Sequence, residues 1–186
     1  MAISKLFPYY FYKNLFSKEE INKFTDKIKT KVMEEAKDIP SDSAKKTASV
    51  KAIDGRGLPE VAKIMTHIFN ANTLNFGYHL YAYQGIFFHY NIYDEATQGE
   101  YSWHVDGDAT NLVSTSKLTS IINLSLNPYE GGDFFINPFG KPMPVPELKD
   151  PGSLVIFPSY TLHQVTPVTK GSRATGAFWT EGPRFI

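Results

Sequence analysis

The chain contains no cysteine. That excludes disulfide bridges, thiolate-bound metal centres and a cysteine nucleophile. It also lacks net charge, since 19 Lys and Arg balance 19 Asp and Glu. Without a basic surplus there is no long-range field to gather nucleic acid or anionic lipid, so neither is expected as a partner. No apolar run approaches the roughly 20 residues that a membrane span needs. Residues 1–16 are aromatic with scattered lysines and lack the apolar stretch of a signal peptide, so a soluble, cytoplasmic protein is expected. Internal repeats, low-complexity tracts, a Gly-rich phosphate loop and a nucleophile elbow are missing as well. Residues 106–117 faintly follow the rhythm of a calcium loop, but Asn111 stands where glycine is required and Lys117 where glutamate is required.

What is present suits one β-rich domain. Of 186 residues, 42% are apolar and 15% aromatic, enough for a proper core. Residues 6–12 read as a short leading strand, with Pro8 marking an edge. Ser17 and Glu20 have the spacing of a capping box, and Ile21, Phe24, Ile28 and Val32 recur at helical spacing, which predicts a helix over about 17–36. Residues 37–57 are polar and read as a long loop, either a surface connection or a lid. Pro59 suits the first turn of a second helix with the stripe Val61, Ile64, Met65, Ile68 and Phe69, closed by Asn75-Phe76-Gly77. From Tyr78 the period changes to two. Strands are predicted over 78–83, 86–93, 101–106, 117–126, 133–136, 153–157, 163–168 and 173–180. Two helices followed by many short strands imply a mainly β fold with N-terminal helices (α+β). It is a double-stranded β-helix, or jelly roll, over 78–186, backed by helical support over 1–77.

The chemistry centres on Tyr101-Ser102-Trp103-His104-Val105-Asp106. Side chains two apart on a strand share a face, so His104 and Asp106 stand side by side as metal ligands. His163, 57 residues after Asp106, is the best candidate for a third. Two histidines and one carboxylate on one side of a metal form the facial triad of non-haem Fe(II) oxygenases. Such iron needs electrons, and a chelating 2-oxo acid is one source. Its distal carboxylate wants a charged fork. Arg173, ten residues after His163 across a Lys-Gly-Ser turn, opens an otherwise uncharged strand and is placed to supply one.

These elements resemble the 2-oxoglutarate- and Fe(II)-dependent oxygenases, in particular their prolyl/lysyl-hydroxylase-like branch. The matching motifs are Tyr101-x-x-His104-x-Asp106, Leu118-Thr-Ser-Ile121-Ile-Asn123-Leu, Glu130-Gly-Gly-Asp133-Phe134, Pro151-Gly-Ser-Leu-Val-Ile-Phe-Pro158, then His163, Arg173 and Trp179. The resemblance implies that His104, Asp106 and His163 bind Fe(II) and that Arg173 pairs with the far carboxylate of 2-oxoglutarate. It implies a cosubstrate tyrosine at Tyr90, although the loop from Tyr90 to His104 is then longer than in relatives. Asn123 stands where relatives often carry a tyrosine that contacts the same carboxylate; its amide either donates there or bonds to neighbouring backbone. Ile121 and Phe134 become apolar walls, Trp179 a neighbour of the metal and Tyr101 a substrate-facing residue. The activity implied is hydroxylation of a prolyl or other residue of a peptide or protein, using 2-oxoglutarate and O2, with ascorbate as an auxiliary reductant. Asp106 favours hydroxylation over halogenation, because related halogenases lack that carboxylate.

Three other readings remain. A hydroxylase of a free amino acid or other small molecule uses the same centre, since a fold does not choose a substrate. A nucleic-acid dealkylase of the same superfamily carries a second arginine six positions after the first, where this chain has Trp179. A non-catalytic jelly-roll binding module has no reason to place Arg173 ten residues past the third ligand. Residues 37–57 and 137–151 are expected to frame the substrate's way in.

Overall fold

The computed structural model describes residues 7–35, 44–81, 87–107 and 115–184. In chain order, β1 (Tyr10–Tyr12) precedes helix α1 (Lys18–Thr30), β2 (Val32–Glu35), β3 (Ser49–Asp54) and helix α2 (Pro59–Ala71). There follow β4 (Phe87–Asp94), β5 (Tyr101–His104), β6 (Ser116–Asn123), β7 (Glu130–Gly131), β8 (Phe134–Asn137) and β9 (Met143–Pro144). The last strands are β10 (Leu154–Pro158), β11 (Leu162–Val165), β12 (Val168–Lys170) and β13 (Ser172–Glu181). They build a seven-stranded sheet in the order β1-β10-β6-β13-β4-β3-β2 and a four-stranded sheet in the order β5-β11-β8-β9. β7 and β12 pair separately. The expected jelly roll backed by two helices is what forms.

Helix α1 starts where the capping box requires. The Glu20 amide donates to Ser17 Oγ at 3.2 Å, and the Ser17 amide donates to the Glu20 carboxylate at 2.7 Å. Ile21, Phe24 and Ile28 are buried against the large sheet. The helix stops at Thr30 rather than near residue 36. Val32 continues the helical spacing, but its backbone pairs with Ile53 of β3, and the ladder overrides the local pattern. The predicted 37–57 loop therefore contains a strand: β3 pairs with β4 from Ser49↔Ile92 to Asp54↔Phe87. Residues 36–43 of that loop lie outside the described residues. Helix α2 buries Val61, Ile64, Met65 and Ile68 as read, with Phe69 half-buried. It ends in one wide turn closed by left-handed Gly77, φ 70°. No strand occurs over 78–81, and 82–86 lie outside the described residues. The predicted 163–168 strand is two strands, β11 and β12.

The apolar interior has two layers. One lies between the helices and the large sheet. There Phe88 stacks on Phe178 (ring centroids 4.6 Å apart) and meets Phe24 of α1 at 6.0 Å. The other lies between the two sheets and contains Ile121, Phe134, Ile136, Val155, Phe157 and Val165. Strand β10 is buried on both faces because it serves both layers, which is why Leu154-Val-Ile-Phe157 is apolar without interruption. No helix among the described residues is long and apolar enough to cross a membrane.

Phe88 joins the helical layer to the sheet, so Phe88→Ala is expected to cost roughly 3–5 kcal/mol. The midpoint of urea unfolding reads this directly.

Candidate active site

The site begins with one strand pair. In the β5–β11 ladder His104 and His163 are directly opposed, which brings their rings to 4.1 Å between centroids. Asp106 follows just after β5. Its amide and that of Gly107 both donate to the Ser159 carbonyl, at 3.0 and 2.9 Å, which fixes the turn. His104 Nε2 lies 3.6 Å from Asp106 Oδ1, and His163 Nε2 lies 3.5 Å from Asp106 Oδ2. The three potential ligand atoms all fall within 4.8 Å of one another. Donors about 2.1 Å from one ion stand roughly 3–3.5 Å apart, so the triad has the dimensions of a metal site.

The chemistry of the donors agrees. His104 Nδ1 is 2.7 Å from the Ser102 carbonyl, and His163 Nδ1 is 2.8 Å from the Thr161 carbonyl. A carbonyl only accepts, so each Nδ1 carries the proton and each Nε2 turns a lone pair toward the centre. Burial, reinforced by His163 alongside, pushes the His104 imidazole down to about 4, so it is neutral at pH 7. Thr119 Oγ1 lies 2.8 Å from Asp106 Oδ2 and 3.1 Å from Ser159 Oγ. The carboxylate cannot donate, so Thr119 donates to it and Ser159 donates to Thr119. This chain holds Asp106 in one orientation.

The triad and Arg173 line the same cavity. Along β13 the cavity-facing residues alternate: Arg173, Thr175, Ala177 and Trp179. Ile121 and Phe134 line it as apolar walls, and Tyr101 lies flat on the His104 ring at 3.4 Å. Trp179 meets His89 edge-on at 4.9 Å. Arg173 is 1% exposed, yet its Nε and Nη2 have no hydrogen-bond partner among the described residues. Its guanidinium lies 5.1 Å from the centre of the Tyr93 ring. A buried cation with uncommitted N–H groups is costly on its own and suits a carboxylate ligand.

Two expected residues sit elsewhere. Tyr90 points to the opposite face of β4, packs against the helix-side core and borders a surface depression with Thr25 and Lys29. Alternation turns His89, Asn91 and Tyr93 inward instead, and these three line the cavity. The signal was available: the apparently overlong loop before His104 shortens when Tyr93 replaces Tyr90. Asn123 is fully buried, but its amide nitrogen donates to the Leu148 and Lys149 carbonyls at 3.0 and 2.9 Å. Its oxygen accepts from the Ser125 amide at 2.9 Å. It is a backbone brace with no group left for a ligand. Sequence reading also missed Thr119, one turn of alternation from Ile121, and Lys46. Lys46 reaches the cavity because residues 45–47 run beside β5: Ser102 N donates to Lys45 O at 2.8 Å and Thr47 N to Glu100 O at 3.0 Å.

Thr119→Val removes the hydroxyl that steers Asp106 and keeps the shape. Divalent-metal affinity is expected to fall roughly 10–100-fold, with the melting point of the metal-free protein little changed. Calorimetric titration with Mn(II) reads the first, and thermal unfolding the second.

Comparison with known proteins places this geometry. The profile of the 2OG-Fe(II) oxygenase superfamily matches residues 88–181. A PKHD-type hydroxylase of Stenotrophomonas maltophilia is 40% identical over 90 residues, which are 45% of this chain and 38% of that protein. The match thus spans about two fifths of that relative's length. Among solved structures, the viral collagen prolyl hydroxylase of Paramecium Bursaria Chlorella virus-1 superimposes with a TM-score of 0.71 at 15% identity, over 97% of this chain and 99% of that one. A prolyl-4-hydroxylase of Pseudomonas putida gives 0.68 at 15% identity, over 94% and 92%. These two likenesses concern the fold. The family uses Fe(II), 2-oxoglutarate and O2, and its His-Asp-His triad is present here. With the profile matching half of its length, this chain belongs to the 2OG-Fe(II) oxygenase superfamily.

Proposed function

We propose that the chain is a 2-oxoglutarate- and O2-dependent Fe(II) hydroxylase acting on a prolyl or other amino-acid residue of a peptide or protein. The observation that carries this reading is one cavity lined both by the His104–Asp106–His163 triad and by a buried guanidinium whose Nε and Nη2 have no hydrogen-bond partner among the described residues. Prolyl hydroxylases among the structural neighbours support the peptide substrate.

His104, Asp106 and His163 would hold the iron on this reading. When bound, the metal and 2-oxoglutarate supply the oxidation: O2 is divided between the two organic molecules, giving succinate, CO2 and a C–OH in place of a substrate C–H. The chain's own residues position and shield. The Ser102 and Thr161 carbonyls orient the two imidazoles, and Thr119 orients the carboxylate. Arg173 receives the distal carboxylate above the Tyr93 ring. Ile121 and Phe134 keep water from the space between the cosubstrate's two ends. Trp179 and Tyr101 line the same cavity as the triad, Tyr101 flat on the His104 ring, and on this reading would face the substrate.

The decisive measurement is succinate formation with Fe(II), 2-oxoglutarate and O2 across proline peptides, lysine peptides and free amino acids. A peptide-dependent rise is expected. A rise with free amino acids alone overturns the peptide assignment, and no 2-oxoglutarate consumption under any condition overturns the enzyme. His104→Ala is expected to abolish turnover. Arg173→Ala is expected to weaken 2-oxoglutarate binding by roughly 2–4 kcal/mol, through loss of a charge-assisted bidentate contact; the dissociation constant reads it.

A further inference from the structure

Arg173 belongs to two cavities. Besides the one lined by the triad, it lines a second cavity of about 260 Å³ bounded by Tyr129, Gly132, Phe134, Leu148 and Lys149. Only Arg173 and Phe134 are common to both. A Cβ placed on Gly132 would stand 3.0 Å from Arg173 Cδ and 3.3 Å from Tyr129 Cε2. The arginine stem and the tyrosine ring therefore both close on Gly132, at φ +61°, where a side chain would displace them, and both line this cavity.

The tyrosine hydroxyl there is uncommitted. Its only hydrogen-bond neighbour among the described residues is Asn123 Nδ2, at 3.4 Å. A primary amide has two hydrogens, and the Leu148 and Lys149 carbonyls take both at 3.0 and 2.9 Å. The Tyr129 proton thus has no acceptor among the described residues. Lys149 is used differently. Its Nζ donates to the Gly131 carbonyl at 2.5 Å and to Asp133 at 3.1 Å, and it lies 4.2 Å over the Tyr129 ring, holding that ring in place.

A carboxylate offers about four acceptor positions, and a guanidinium fork uses two. A neutral hydroxyl lining the same cavity satisfies a third without adding charge. We propose that Tyr129 is the second donor to the distal carboxylate of the cosubstrate, and so helps select a dicarboxylic over a monocarboxylic 2-oxo acid. This rests on the cosubstrate reading above. It assigns to a residue of the turn before β7 the contact that strand position 123 does not make.

The test is an anaerobic titration of the Fe(II)-loaded protein, wild type and Tyr129→Phe, with two acids. One is 2-oxoglutarate. The other is 2-oxovalerate, which has a methyl group in place of the distal carboxylate. The visible absorption of the iron chelate reports binding in both cases. For Tyr129→Phe the dissociation constant of 2-oxoglutarate is expected to rise at least roughly tenfold, as for a lost hydrogen bond to a charged group. That of 2-oxovalerate is expected to stay unchanged, which also shows that the variant keeps its fold. Equal weakening of both acids, or no weakening of 2-oxoglutarate, overturns the role of Tyr129 and leaves the cosubstrate reading standing. Absence of chelate absorption in the wild type with either acid overturns the cosubstrate reading, and the role of Tyr129 with it.

Discussion

The opposition of His104 and His163 in the β5–β11 ladder is the constraint on which the rest depends. Antiparallel register is all or nothing: a slip by one residue turns every side chain of the strand to the other face. Here a slip would turn one imidazole out of the site and leave Asp106 with a single neighbour. The register is held from both sides. Val165 and Ile136 are buried in the inter-sheet layer and would be exposed by a shift. Ser159 grips the start of the Asp106 turn through two backbone bonds. The centre is thus a by-product of packing that would be required anyway, and only the ligand side chains themselves are specific to the chemistry.

The other end of the cavity follows from alternation along β13. Once Phe178 points to the helices, Arg173, Thr175, Ala177 and Trp179 must point to the small sheet. Burying a guanidinium in that layer opposes stability. The guanidinium lies there over the Tyr93 ring, with its stem packed against Gly132, where a side chain would displace it. A site that is expensive to the empty protein and satisfied by its ligand is the ordinary signature of binding machinery.

Much of this was legible in the residues alone. The triad, Arg173, Ile121, Phe134 and Trp179 meet in one cavity as period two and a short turn predict, and Tyr101, three residues before His104, joins them through the register shift between His163 and Val165. Two errors and one alternative left open have distinct physical causes. The end of α1 was overrun because Val32 fits a helical stripe, and only a strand distant in sequence reveals the competing ladder. Tyr90 was read as the cosubstrate tyrosine, but which parity of β4 faces the cavity is set by the layers on either side, and only the length of the loop before His104 hints at it. Asn123 was correctly expected to need a partner, but whether that partner is a ligand or the Leu148 and Lys149 carbonyls depends on where a distant turn lands. Elements with local causes were readable; choices made by long-range contacts were not.

The segment from residue 45 to β3 crosses from one sheet to the other. Its first part is hydrogen-bonded along β5, and its second part is a full member of the large sheet. It acts as a hasp across the seam of the sandwich at the end that carries the triad. Prising the two halves apart there requires peeling this strip from at least one of them, so breathing of the fold near His104 and Asp106 is coupled to the sheet margin on the far side of β4.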